Sequence, residues 1–174
     1  MALAVCLLFD RRSDLLVRGL WSRLESMGVG TLQSHTHGRH LPHLSYAVLR
    51  QWDLDGVQEA LRPLEPAGPV HLSCQGSLLF PRGRVALAPA VGADVVARQE
   101  RVVAALRATG ADLHHHYLPG RWVPHVSVAT RASGAQVSAV VTAISDVLPL
   151  VVRADRAALV DSATGRTWPL AGVL

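Results

Sequence analysis

Two stretches of this 174-residue chain place an imidazole and a hydroxyl two residues apart in nearly the same local setting. Gly38-Arg39-His40-Leu41-Pro42-His43-Leu44-Ser45-Tyr46-Ala47 recurs as Gly120-Arg121-Trp122-Val123-Pro124-His125-Val126-Ser127-Val128-Ala129. Six of the ten positions are identical, and the copies lie 82 residues apart, about half the chain. Both copies read as strands, and alternate side chains of a strand share a face. His43, Ser45 and Ala47 are therefore expected to project together, with Leu44, Tyr46 and Val48 on the other side. In the second copy His125, Ser127 and Ala129 share a face opposite Val126 and Val128. By this parity Tyr46 is a core residue.

Two imidazoles and two hydroxyls suit reaction at a phosphorus centre. Histidine's ordinary pKa near 6.5 lets one ring accept a proton while the other donates one near neutral pH. In hydrolysis of a cyclic phosphodiester, a neutral His43 or His125 would activate water, and the other ring, protonated, would protonate the departing ribose oxygen. Ser45 and Ser127 would hydrogen-bond the non-bridging oxygens as charge builds there. Neither nucleophile nor Lewis acid has to come from a metal or other cofactor.

Around this set stand weaker candidates. Arg39 and Arg121 precede the histidines by four residues, and either could grip a phosphate through a bidentate fork or simply be solvated beside a turn. Trp122 could stack on a base or lie as a lid over the core. His116 could reach a groove as a substrate contact. A third His-x-Ser, His71-Leu72-Ser73, lacks the preceding Gly-Arg and the adjacent Pro and reads as an incidental strand pattern. His114-His115-His116 and the group His35, His37 and His40 invite a zinc reading. Consecutive histidines on a strand alternate faces and cannot all meet one ion, so no metal site is expected.

The elements that must carry these residues can be read from periodicity and caps. Ala2 to Phe9 reads as a buried strand. Ser13 offers an N-cap to a helix with Leu15, Leu16, Leu20, Leu24 and Met27 on its stripe, ending at Gly28. A His-rich loop leads into the first motif strand. Asp53 caps a short helix bearing Leu54, Val57 and Leu61. From Val70 to Ala88 there are three strand candidates, with turns near Gly76 and at Pro81-Arg82-Gly83. A helix from about Asp94 to Thr109 follows, then a strand over Ala111 to Leu118 and the second motif strand. Ser133 and Gln136 form a capping-box pattern for a further helix. Short strands near Leu150 to Val152, Ala157 to Val160 and Arg166 to Leu170 complete the chain. Strands and helices mix without a β-α-β alternation, which indicates an α+β fold with antiparallel sheets. The repeat implies two similar halves, each with one histidine strand, within a single domain over residues 1–174.

Composition sets outer bounds. Hydrophobic residues make up 49%, enough for one compact core, and charged residues only 17%. All 17 basic side chains are Arg, and the net charge is +4, which attracts polyanions only weakly in the absence of a basic run. Cys6 and Cys74 sit in apolar runs, so a reducing compartment is expected rather than a disulfide framework. The apolar start lacks a basic n-region, and no stretch reaches the length of a membrane span. These features read as cytoplasmic, with no membrane and no obligate protein partner.

The paired His-x-Ser strands, set half a small domain apart, resemble those of the 2H phosphoesterase superfamily, which includes 2′-5′ RNA ligase-like and cyclic phosphodiesterase proteins. The resemblance implies a bilobal, pseudo-twofold-symmetric domain with two antiparallel sheets forming a central groove and helices outside. It implies His43 and His125 as the catalytic pair and Ser45 and Ser127 as phosphate-binding hydroxyls, with Ser where many members carry Thr. The implied activity is metal-independent opening of 2′,3′-cyclic phosphates on an RNA end or a cyclic nucleotide, in some members with reversible 2′-5′ ligation. Two rival readings stand beside it. One is a non-catalytic nucleotide or RNA-end binding module; the other is a metal-dependent hydrolase built on the histidine clusters.

Overall fold

The computed structural model describes residues 2–171. Four helices and eight strands follow one another in a mixed order. Strand β1 (Leu3–Phe9) leads to α1 (Arg11–Ser26), β2 (His43–Gln51), α2 (Leu54–Leu61) and β3 (Val70–Phe80). Then come β4 (Arg84–Ala90), α3 (Ala93–Ala108), the two-residue β5 (Asp112–Leu113) and a single 3₁₀ turn at His115–Tyr117. The chain closes with β6 (Val126–Ala129), α4 (Gly134–Ser145), β7 (Leu150–Asp161) and β8 (Thr167–Leu170). No helix among the described residues is long and apolar enough to cross a membrane.

Every ladder is antiparallel, as the α+β reading expects. The strand order is β5-β2-β1-β7-β3-β4-β6, with β8 attached to β7. Two separate sheets were expected, but the ladder between β3 and β7 joins them into one eight-stranded sheet. The connectivity repeats: β1-α1-β2-α2-β3 is matched by β4-α3-β6-α4-β7. Exchanging β1 with β4, β2 with β6 and β3 with β7 turns the order β2-β1-β7-β3-β4-β6 into its own reverse. Each unit therefore sends its last strand to pair with the first strand of the other.

One core lies between the sheet and the helices. Val17, Leu20, Trp21 and Leu24 of α1 meet Val57 and Leu61 of α2, Val102, Val103 and Leu106 of α3, and Val140 and Ile144 of α4 in a single buried cluster. The other face of the sheet carries the smaller apolar group Ala4, Cys6, Leu8 and Ala158. All four helices thus cover one face.

Local differences from the sequence reading have identifiable causes. Helix α1 begins earlier than expected, because the Asp10 carboxylate caps it by accepting from the Ser13 amide at 2.8 Å. Its buried stripe is Ser13, Val17, Leu20, Trp21 and Leu24, at proper i, i+3 and i+4 spacing. Leu15 and Leu16 fall on the solvent side. Gly76 makes no turn: β3 runs unbroken past it into the turn at residues 81–83. The two segments read near Leu150 and Ala157 are one twelve-residue strand. The expected strand over Ala111 to Leu118 shortens to Asp112–Leu113 and then winds into the 3₁₀ turn.

Candidate active site

The motif strands lie toward opposite ends of the sheet, yet β2 and β6 approach within 8 Å between Cα atoms without sharing a ladder. Both motif ladders carry bulges, which bend and twist a strand. In the β1–β2 ladder Cys6 pairs with Ser45 and Val5 with Ala47, so Tyr46 is an extra residue with no partner. In the β4–β6 ladder Ala86 pairs with Ser127 and Val85 with Ala129, leaving Val128 extra. Tyr46 and Val128 occupy the same position of the repeat. The ladders next inward match as well, with Asp155 extra against β1 and Gln75 extra against β4.

The bulges correct the strict alternation expected for the motif. Leu44, Tyr46 and Ala47 all enter the main core, as do Val126, Val128 and Ala129. Ala47 and Ala129 therefore leave the histidine face, and Val48 turns to the small apolar group on the helix-free side. A bulge inserts one residue, and one residue reverses the facing of everything beyond it. His43 and Ser45 lie before the bulge, paired with Leu8 and Cys6, and keep the expected common face. Ser45 is 9% exposed, with its Oγ 3.6 Å from the Cys6 sulfur.

Each histidine ring is held the same way. His43 Nδ1 lies 2.6 Å from the Leu41 carbonyl oxygen, and His125 Nδ1 lies 2.8 Å from that of Val123. A carbonyl only accepts, so Nδ1 carries the proton in both rings, and Nε2 is the atom free to take or give one. The repeated residues explain the tether. Gly38 and Gly120 turn the chain at φ +66° and +74°, a region that favours glycine. Pro42 and Pro124 then fix φ between the tethering carbonyl and the ring, and hold the preceding residue extended. Burial lowers the pKa of both histidines; at His43 the Leu41 carbonyl opposes this and the nearby charge of His125 adds to it. At His125 the Val123 carbonyl opposes burial, and the Arg84 guanidinium reinforces it.

Two tryptophans brace the bulges from opposite units. Trp21 of α1 donates its indole N–H to the Ser127 carbonyl at 3.0 Å, and Trp122 donates to the Ser45 carbonyl at 3.0 Å. Trp122 also packs edge-on against Tyr46, with ring centroids 5.9 Å apart. It is half-buried against the core, with its polar atom engaged.

The remaining candidates are dispersed. Arg39 gives its guanidinium to the Thr164 carbonyl at 2.7 Å, in the turn between β7 and β8. Arg121 borders a surface cleft with Arg107, Asp112 and Leu118. His116 lies tilted against His115 on the 3₁₀ turn, with ring centroids 3.8 Å apart. Within the other histidine loop His40 is bonded to Thr36 at 2.8 Å, and His37 accepts from the Arg39 amide. His71 lies in the central ladder opposite Arg153, away from either motif. Sequence reasoning missed Tyr117, whose hydroxyl lies beside Ser45 and Cys6 and whose pKa burial pushes up to about 12. It also missed Phe80, packed 4.9 Å from the His125 ring, and Trp21. No repeat or spacing marks these three; only the fold brings them to the motifs.

A tethered pair of imidazoles on converging strands, each with a hydroxyl two residues on, thus sits on an antiparallel α+β scaffold. The 2′-5′ RNA ligase superfamily model matches residues 16–166, and the chain belongs to that superfamily, within the 2H phosphoesterases. No curated protein matches the sequence. Among solved structures, TT0787 of Thermus thermophilus is similar over 99% of both chains, with 15% identity and a TM-score of 0.61. A protein described as a phosphoesterase is similar over 97% of this chain and 92% of its own, with 12% identity and a TM-score of 0.59. Usb1 of Kluyveromyces marxianus is similar over 98% of this chain and 97% of its own, with 13% identity and a TM-score of 0.53. At such identities the likeness is one of fold.

Proposed function

We propose that this chain is a metal-independent phosphoesterase that opens 2′,3′-cyclic phosphates on RNA ends or nucleotides. The observation that carries the proposal is the duplicated tether: both rings are held at Nδ1 by the carbonyl two residues back, and His43 feels the charge of His125. That arrangement frees both Nε2 atoms for proton transfer. In the proposed step, neutral Nε2 of one histidine takes a proton from water as its oxygen bonds to phosphorus. The bond from phosphorus to one ribose oxygen breaks, and protonated Nε2 of the other histidine gives its proton to that oxygen. The product is a phosphomonoester, and the histidines have exchanged protonation states. Ser45 and Ser127 hold the non-bridging oxygens while charge develops there. With the hydroxyl of a second RNA end attacking phosphorus in place of water, the same exchange joins the two ends: the new P–O bond forms, the bond to one ribose oxygen of the ring breaks, and that oxygen takes the proton.

Product analysis decides the matter. Wild type, His43→Ala and His125→Ala are each incubated with 2′,3′-cyclic mononucleotides and cyclic-phosphate-ended oligonucleotides in the presence of chelator. The proposal expects a phosphomonoester from the wild type and loss of most turnover in each variant, with circular dichroism unchanged. Binding without turnover by the wild type would make the protein a nucleotide-binding module. Turnover abolished by chelator but retained in the alanine variants would make it a metal-dependent hydrolase.

A further inference from the structure

The 3₁₀ turn gathers three imidazoles that the motif chemistry does not use. Ligating nitrogens of His114, His115 and His116 all lie within 4.8 Å of one another. Their ring centroids are 3.8 to 5.0 Å apart. The strand reading predicted otherwise, since alternation on a strand would send His115 away from its neighbours. The difference is local winding. His114 is the extended residue that caps the turn, and a 3₁₀ turn spaces successive side chains by about a third of a revolution rather than half. The His116 backbone N–H donates to His114 Nδ1 at 3.4 Å, which orients that ring and leaves Nε2 as its free nitrogen.

Accessibility and donor type then narrow the ligand. His115 and His116 are exposed and His114 is half-buried, so an ion can enter from solvent without unfolding anything. Metal–imidazole bonds of about 2.0–2.1 Å require the three nitrogens to close up, which the exposed His115 and His116 rings can do by rotating toward His114. Three neutral nitrogens with no carboxylate or thiolate favour borderline transition metals over magnesium or calcium. Three arginines, Arg50, Arg84 and Arg121, stand close enough to act on these rings, and Arg50 is paired with Asp112 at 3.0 Å. Their charge favours an anion, such as a phosphate oxygen, in whatever coordination positions the protein leaves open.

We infer that His114, His115 and His116 form a surface site for one borderline divalent transition-metal ion, separate from the paired motif histidines. The site sits on the segment that carries Tyr117 to Ser45 and continues to Gly120. It is independent of the phosphoesterase reading, which requires no metal.

The test is calorimetric titration of the untagged full chain with Ni²⁺ alone, repeated with Co²⁺ under visible absorption. One ion per wild-type chain is expected. His115→Ala and His116→Ala should each weaken binding about tenfold or more, as loss of a ligand does. His35→Ala, in the other histidine loop, should bind as the wild type. Each change is at an exposed position, and circular dichroism verifies the fold. Absence of stoichiometric uptake by the wild type, wild-type affinity in the His115 and His116 variants, or loss in His35→Ala instead, would overturn the assignment.

Discussion

Replacing Trp21 by Phe tests whether the indole braces the second motif from the other unit. Trp21 is fully buried, and its only polar atom donates to the Ser127 carbonyl at 3.0 Å. Phe keeps an aromatic ring in place but removes the donor. A carbonyl stripped of a buried partner costs about 1–3 kcal/mol. The lost part of the indole opens roughly 40 Å³, which adds about 1 kcal/mol if the site does not collapse. Together these predict a loss of about 2–4 kcal/mol, large beside the roughly 5–15 kcal/mol of a typical domain. Trp122→Phe removes the matching bond to Ser45 from a half-buried setting, and about 1–2 kcal/mol is expected there. The assay is urea unfolding followed by far-ultraviolet circular dichroism, because tryptophan fluorescence is itself altered. The midpoint should fall with the slope unchanged. Turnover of a cyclic phosphate, measured well below the unfolding midpoint, should lose kcat more than KM, since the bulge sets where Ser127 and His125 lie. A Trp21→Phe protein within about 0.5 kcal/mol of the wild type, the range of an inconsequential substitution, would refute the bracing argument.

Further predictions concern the site and its titration. Burial lowers the pKa of both His43 and His125, so the kcat/KM profile should be bell-shaped with its optimum on the acid side of about 6.5; a flat profile between about pH 5 and 8 would contradict paired acid–base exchange. Ser45→Ala and Ser127→Ala should each slow turnover by about 10²-fold with little change in stability, which unfolding and steady-state kinetics measure together. His40 is held down to about 4, by burial first and then by the neighbouring His37, His43 and His35 charges. Its folded pKa lies below the unfolded value, so the unfolded chain takes up the proton first, and stability falls as pH drops from about 6.5 to about 4. His40→Gln should remove on the order of 1–2 kcal/mol of that loss, a figure discounted because the ring is partly hydrated. Equal acid slopes in the two proteins would count against this account.

The motif histidines and serines were legible because a duplicated segment is a long-odds pattern in any one chain. Capping was legible where one side chain and its own backbone suffice: Asp53 caps α2, and Gln136 reaches back to the Ser133 amide at 2.8 Å. Asp10 displaced Ser13 as the cap of α1, since two nearby candidates differ only in how the chain arrives from β1. Parity placed Tyr46 in the core correctly and Ala47 on the wrong side, because the bulge between them depends on the partner strand. The three histidines read as strand residues because nothing local distinguishes a two-residue strand from a long one. Pairing of β5 with β2 stops at Leu113, and the chain then turns.

From the sequence alone came the antiparallel α+β class, the two motif strands and the residue types they offer to a phosphate. Tertiary structure alone decided that one sheet, closed through β3 and β7, curls to bring β2 and β6 together, and that Trp21, Tyr117 and Phe80 attend the motifs. Local pattern records how a segment meets water and its own backbone. Ladder register, bulges and contacts across a hundred residues arise only when distant segments compete for the same hydrogen bonds and the same buried volume.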